Sequence, residues 1–216
     1  MLDAIEIETG SHPNTCIIWL HGLGASGHDF EPIIPELELP ENLEIRFIFP
    51  HAPKRVITIN GGLMMPAWYD IITHDVDRRV DIKQLVTSAG DIAKFIDREI
   101  QRGIARDRIF IAGFSQGGAV GYQLALTYPR RLGGLIALST YFATHKNIEY
   151  HPANAAQNIF IGHGLYDSIV AESLGQRAHA LLEDANYSVN YHSYPMDHSV
   201  CAEEINDISQ WLKAKL

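Results

Sequence analysis

The chain has 216 residues, with 17 Lys and Arg against 26 Asp and Glu, a formal charge of −9 when histidine is counted neutral. Surfaces that neutralise phosphates need clustered positive charge and the sequence has no basic run, so nucleic acid is not an expected partner. Hydrophobic residues at 46% and charged residues at 20% make a folding composition rather than a disordered or fibrous one, and the length suits one domain over 1–216.

The opening residues, MLDAIEIETGSH, carry neither a positive n-region nor an apolar h-region, so no secretory signal is expected and a cytoplasmic location is. The apolar runs fall well short of the ~20 residues that span a bilayer, so stable membrane insertion is not expected. In a reducing compartment Cys16 and Cys201 read as small hydrophobes rather than a disulfide. None of the 11 histidines stands in a metal-ligand spacing, so neither a metal nor another cofactor is expected.

In chain order, the run 15–20 reads as a strand and ends at the glycine-rich turn His21-Gly22-Leu23-Gly24. A second strand candidate covers 45–49. The longest irregular stretch then runs over 50–79, yet it holds Ile57, Ile59, Leu63, Met64, Met65, Trp68, Ile71 and Ile72 around Gly61-Gly62 and Pro66. That content is too apolar for a solvated connection. Such a stretch either packs on the core or walls a binding site, where Met adapts to varied shapes and Trp supplies rigid area.

Behind Asp81, a stripe of Ile82, Leu85, Val86, Ala89, Ile92, Ala93, Ile96 and Ile100 at three- and four-residue intervals predicts a helix ending before Gly103. Strand candidates follow at 109–112, 135–138 and 159–161, and the run 188–194 is strand-like. Helical patterns occupy 118–126, the stripe Ala171, Leu174, Ala178, Leu181, Leu182, Ala185, and the segment 200–214. Short apolar runs alternating with amphipathic helices indicate βαβ units around a mostly parallel sheet with helices on both faces.

Between the strand 109–112 and the helical segment 118–126 lies Gly113-Phe114-Ser115-Gln116-Gly117. A G-x-S-x-G pattern at a strand-to-helix turn lifts a serine hydroxyl out of the backbone, with the glycines permitting a tight turn and close helix approach. Such a hydroxyl is a poor nucleophile unless a base lies within hydrogen-bond reach and an acid orients that base. In this architecture the chain order is Ser, acid, His, on loops after later strands. Asp167, after the strand 159–161 and its turn, fits the acid, and His198, before the last helix, fits the base. Asp197 is disfavoured as the orienter because adjacent residues on a turn point apart. His163 precedes the acid and reads as a loop-pinning residue, and His192 falls within a strand. Two backbone N–H groups are needed to stabilise an oxyanion, and Gln116, directly after the serine, and Leu23, in the first glycine-rich turn, are placed to supply them.

With these residues assembled, the chain resembles the carboxylesterase and acyl-protein thioesterase (lysophospholipase-like) family of α/β-hydrolases, most closely its small bacterial carboxylesterases. The resemblance runs through His21-Gly22-Leu23-Gly24, Pro50-His51-Ala52-Pro53, Thr58-Ile59-Asn60-Gly61-Gly62, Met65-Pro66-Ala67-Trp68-Tyr69-Asp70, Gly113 to Gly118, Leu138-Ser139-Thr140-Tyr141, His163-Gly164, Asp167 and His198. It implies an α/β-hydrolase fold, a Ser115, Asp167 and His198 triad, oxyanion donors at Leu23 and Gln116, and a flap over 63–68 whose Leu63, Met65 and Trp68 line the acyl site. The family usually has glycine just before the catalytic histidine, where this chain has Asp197, a residue that tolerates positive φ if the position needs it.

The expected activity is hydrolysis of carboxylic esters, with thioesters and lysophospholipids as further substrates, through an acyl-enzyme on Ser115. The expected partner is a small-molecule ester or acylated substrate. A non-catalytic acyl-binding member of the fold, and a protein-interaction role for the apolar stretch, are the rival readings, and a homodimer using part of that surface is compatible with the sequence.

Overall fold

The computed structural model describes residues 1–40, 42–73 and 78–216. Its main sheet, among the described residues, has seven strands in the order β1-β3-β2-β6-β7-β8-β9. These are β1 (Ala4–Glu8), β2 (Thr15–Leu20), β3 (Ile45–Pro50), β6 (Ile109–Phe114), β7 (Gly134–Leu138), β8 (Ile159–Gly164) and β9 (Val189–Tyr194). Only β1 runs antiparallel, against β3, and every other neighbour pair is parallel. A parallel sheet is covered on both faces, which is why its central strands read as unbroken apolar runs. Every residue of β2 is buried.

The strand residues divide alternately between two apolar layers. Ile18, Leu20, Ile111, Leu135 and Ile161 face the layer containing α2 (Ile82–Gln101), α3 (Gln116–Thr127) and α4 (Glu172–Asp184). Trp19, Phe47, Phe110, Ile136 and Phe160 face the opposite layer, with α1 (Ile33–Glu36) and α5 (Ala202–Lys213). Asp81 caps α2 as its position implied, its side chain accepting the Gln84 N–H at 2.9 Å. The buried face of α2 differs in part from the apolar stripe: Val86 is exposed, whereas Glu99 is fully buried and paired with Arg46 of β3, Arg98 and Arg102. A periodicity built on apolar residues alone does not register a buried carboxylate with its cations around it.

The stretch read as irregular contains a hairpin, β4 (Lys54–Ile57) against β5 (Leu63–Pro66), turned by Gly61 and Gly62 at positive φ. Each strand has four residues and is largely exposed, so neither shows an apolar alternation. Residues 74–77 of that stretch lie outside the described residues.

Close backbone approach at the β6-to-α3 turn requires its glycines. A Cβ on Gly117 would sit 2.3 Å from the Leu20 carbonyl oxygen, and one on Gly113 would sit 2.5 Å from the Gly117 backbone. Gly117→Ala is therefore expected to lower Tm sharply or prevent folding. Gly90, in mid-helix with open space around its Cβ position, should gain about 0.5–1 kcal/mol as alanine. Thermal melts of the two variants test this, and equal shifts would rule out a steric role for Gly117.

Candidate active site

Three loops at the carboxyl ends of parallel strands bring the site together. Ser115 follows β6 and serves as the N-cap of α3, with φ 53° and ψ −117°, a sparsely populated conformation for a residue with a side chain. Its N–H donates to the Leu138 carbonyl at 2.9 Å, and the Thr140 hydroxyl donates to its carbonyl at 2.6 Å, so the end of β7 and the loop after it hold the strained turn. Asp167 follows β8, and His198 lies between β9 and α5.

His198 Nε2 is 3.0 Å from Ser115 Oγ, and His198 Nδ1 is 2.7 Å from Asp167 Oδ2. The other carboxylate oxygen accepts the Val170 N–H at 2.7 Å and the Ile169 N–H at 2.9 Å. Burial alone would raise the Asp167 carboxyl, but the His198 hydrogen bond and these two amides outweigh it and hold it below the usual carboxylate range. An ionised Asp167 thus accepts from Nδ1–H, and Nε2 is the ring nitrogen that faces the serine hydroxyl. The Phe114 ring lies 4.7 Å from the His198 ring, centroid to centroid. Asp197 is exposed and its φ is not positive, so this chain needs no glycine before the histidine.

The first glycine-rich turn lies beside the serine. Gly22, Leu23, Ser115, Gln116 and His198 all line one cleft of about 580 Å³. His21, directly after β2, is buried and anchors this turn: its Nδ1 is 2.7 Å from the Gly22 carbonyl, and its Nε2 accepts the Ala52 N–H at 3.1 Å. Burial pushes the His21 ring down, in keeping with a neutral imidazole that donates once and accepts once. The Gly24 N–H donates to the Pro66 carbonyl at 2.8 Å, tying the turn to β5.

Leu63, Met65 and Trp68, expected to line the acyl site, are not among the residues that line this cleft. Leu63 is exposed on the hairpin, and Met65 sits under the first turn, its sulfur accepting from Asn60 Nδ2 at 3.2 Å. Trp68 is fully buried. Its indole N–H donates to the His21 carbonyl at 2.9 Å and its backbone N–H donates to Gln116 Oε1 at 2.8 Å, while Gln116 Nε2 donates to the Tyr69 carbonyl at 2.6 Å. A tryptophan in an apolar stretch reads as wall area, but its indole N–H needs a partner when buried and finds it in the His21 backbone carbonyl. The apolar lining includes Ile59, Ile71, Tyr141, Ile169 and Val200, with Arg78 and Asp29 also on it. Of these, Ile59 and Ile71 were legible as members of an apolar loop, whereas Tyr141, Ile169 and Val200 come from three other loops that the sequence does not connect.

Cys16 is buried, Cys201 is partly buried, and both are free thiols. Among the described residues, no cluster of three or more His, Cys, Asp or Glu is placed to hold a metal ion, and no helix is long and apolar enough to cross a membrane.

Residues 2–216 match the family model described as phospholipase/carboxylesterase. The chain is 39% identical over 211 residues to acyl-protein thioesterase 1 of Neurospora crassa, covering 93% of this chain and 86% of that protein. It is 34% identical over 207 residues to carboxylesterase SOBER1 of Arabidopsis thaliana, covering 94% and 91%. The crystal structure of Zea mays acyl-protein thioesterase 2 superposes with a TM-score of 0.86 at 27% identity, over 100% of this chain and 99% of that one.

Proposed function

Because the chain belongs to the phospholipase/carboxylesterase family of α/β-hydrolases and is a serine hydrolase of esters and thioesters, we propose that it acts through a Ser115, His198 and Asp167 triad on substrates with an apolar acyl group. The observation that carries this reading is the continuous line of contacts, Ser115 Oγ to His198 Nε2 at 3.0 Å and His198 Nδ1 to Asp167 Oδ2 at 2.7 Å, opening onto an apolar cleft.

Ser115 Oγ attacks the acyl carbonyl as His198 Nε2 takes its proton, and the carbonyl oxygen gains the negative charge. The Gln116 and Leu23 amides stabilise that oxyanion. Collapse expels an alcohol or thiol, which receives the proton from His198, and leaves an acyl ester on Ser115. Water, deprotonated by the same ring, then releases the carboxylic acid and restores the serine hydroxyl. Asp167 holds Nδ1–H throughout and stabilises the imidazolium in both halves of the cycle.

Both leaving groups suit this chemistry, and the relatives' names include a carboxylesterase and acyl-protein thioesterases. Two free thiols support a reducing compartment, the cytosol, as the place of action.

A chain-length series of p-nitrophenyl esters and matched thioesters tests the acyl preference. Each methylene that enters an apolar wall contributes about 0.8 kcal/mol, so kcat/KM should rise up to about fourfold per methylene until the cleft is filled. A flat series from acetyl upward would overturn the apolar acyl site. Stoichiometric labelling of Ser115 by a fluorophosphonate tests the triad separately, and its failure would overturn that assignment.

A further inference from the structure

His163 is the penultimate residue of β8, and its side chain is fully buried beneath the acid of the triad. Its Nε2 lies 2.8 Å from the Val170 carbonyl oxygen. A carbonyl only accepts, so the proton is on Nε2. Its Nδ1 has no partner and faces α4 at Gly175, where a Cβ would come within 2.4 Å of that nitrogen. The imidazole thus spends its single N–H on Val170, and Gly175 leaves room for the ring. Burial pushes the ring's pKa down against the opposing pull of the Val170 hydrogen bond, Asp167 and Glu172.

The target of that N–H is significant. Val170 has two backbone polar groups, and both act near the triad: its carbonyl is held by His163, and its N–H donates to Asp167 Oδ1 at 2.7 Å. Asp167 Oδ2 is then free to accept His198 Nδ1–H at 2.7 Å. His163 Nε2 stands 3.6 Å from that same Oδ2, beyond hydrogen-bond reach, so it does not compete with His198 for the carboxylate. From the geometry we infer that His163 is a positioning residue for hydrolysis: it anchors Val170, and through it the orientation of the Asp167 carboxylate that aligns His198. The inference rests on the triad reading and extends it by one residue inward from the acid.

His163 is not among the residues that line the cleft, so its removal should leave binding intact and reduce the chemical step. Leucine keeps comparable bulk without a donor. Glutamine places an amide N–H near the position of the imidazole Nε2. His163→Leu is expected to lower kcat by about 10²-fold, the size of effect that follows small misplacement of a catalytic group, with KM changed less than about twofold. His163→Gln is expected to recover kcat to within about fivefold of wild type, since the hydrogen bond to Val170 is restored.

The decisive arm uses Asp167→Asn. If His163 works through Asp167, adding His163→Leu to that variant causes little further loss, because residues acting as a unit are not additive. Equal losses in the two backgrounds, a KM change as large as the kcat change, or no recovery with glutamine would each overturn the positioning role. Failure of the triad reading itself looks different, because Asp167→Asn alone would then remain active. Should His163→Leu fail to fold, the glutamine variant still decides the case: kcat below about one hundredth of wild type in a folded protein would overturn the inference.

Discussion

Replacing Ser115 with alanine is expected to lower kcat by about 10⁶, leaving only the catalysis that binding and oxyanion stabilisation supply. A loss of that size amounts to roughly 8 kcal/mol of transition-state stabilisation. Alanine occupies the same strained turn, keeps the Leu138 and Thr140 hydrogen bonds to the backbone, and removes only the hydroxyl that faces His198 Nε2. KM should therefore change little. Asp167→Asn should cost about 10⁴, since an amide that presents its N–H toward Nδ1 favours the wrong histidine tautomer. Because the three side chains act as one unit, the double variant should be no slower than Ser115→Ala. Steady-state hydrolysis of a p-nitrophenyl ester by the purified variants measures all three, and retention of more than about a tenth of wild-type kcat in Ser115→Ala would remove the serine from its role.

The second large effect concerns stability. Glu204, in the first turn of α5, is fully buried, and neither of its carboxylate oxygens has a hydrogen-bond partner. It packs onto β8 where Gly162 leaves room, since a Cβ there would fall 2.1 Å from Oε1. Burial, with Asp207 adding repulsion, pushes this carboxyl from the usual 4.5 to about 8. Between those values the folded chain holds a proton that the unfolded chain releases, so the stability this group allows is complete below about pH 4.5 and declines as pH rises towards 8. The decline amounts to about 1.4 kcal/mol per pH unit, or roughly 4–5 kcal/mol across the window. Burial shifts His21 and His163 downward, which acts in the opposite sense at acidic pH, so the comparison must be made against a variant rather than against a flat line. Glu204→Gln cannot titrate. Its unfolding free energy, from urea melts at several pH values between 5 and 8, should lose the downward slope that wild type retains. Identical slopes in the two proteins would mean that Glu204 is not the group taking up the proton.

The same site divides into parts that were legible in the primary structure and parts that were not. The nucleophile turn is written locally: glycines two positions either side of Ser115, an apolar strand before it and a helix after it. Asp167 and His198 follow from their order and from their place after an apolar strand and a strand-like run, because the parallel sheet delivers loops at its carboxyl edge to a common rim. The long helix behind Asp81 and the central strands β2, β3, β6, β7 and β8 follow from periodicity and unbroken apolar runs, since a sheet covered on both faces leaves no polar alternation, whereas the edge strand β1, where Ile and Glu alternate over Ala4–Glu8, did not register. The β4–β5 hairpin did not register, being short and half-exposed.

What only the tertiary structure decided is the work done by buried polar groups. Trp68 counts in the sequence as apolar area, yet its N–H groups join the first glycine-rich turn to the start of α3; Glu99 and Glu204 have the composition of surface residues and lie in the interior. A linear pattern reports how apolar a residue is and how often it recurs, and this was enough to set the layers, the sheet and the order of the reactive side chains. Which carbonyl a buried donor meets, and which loops share a cleft wall, depend on segments distant in the chain, so those contacts exist only once the two layers have packed on the sheet.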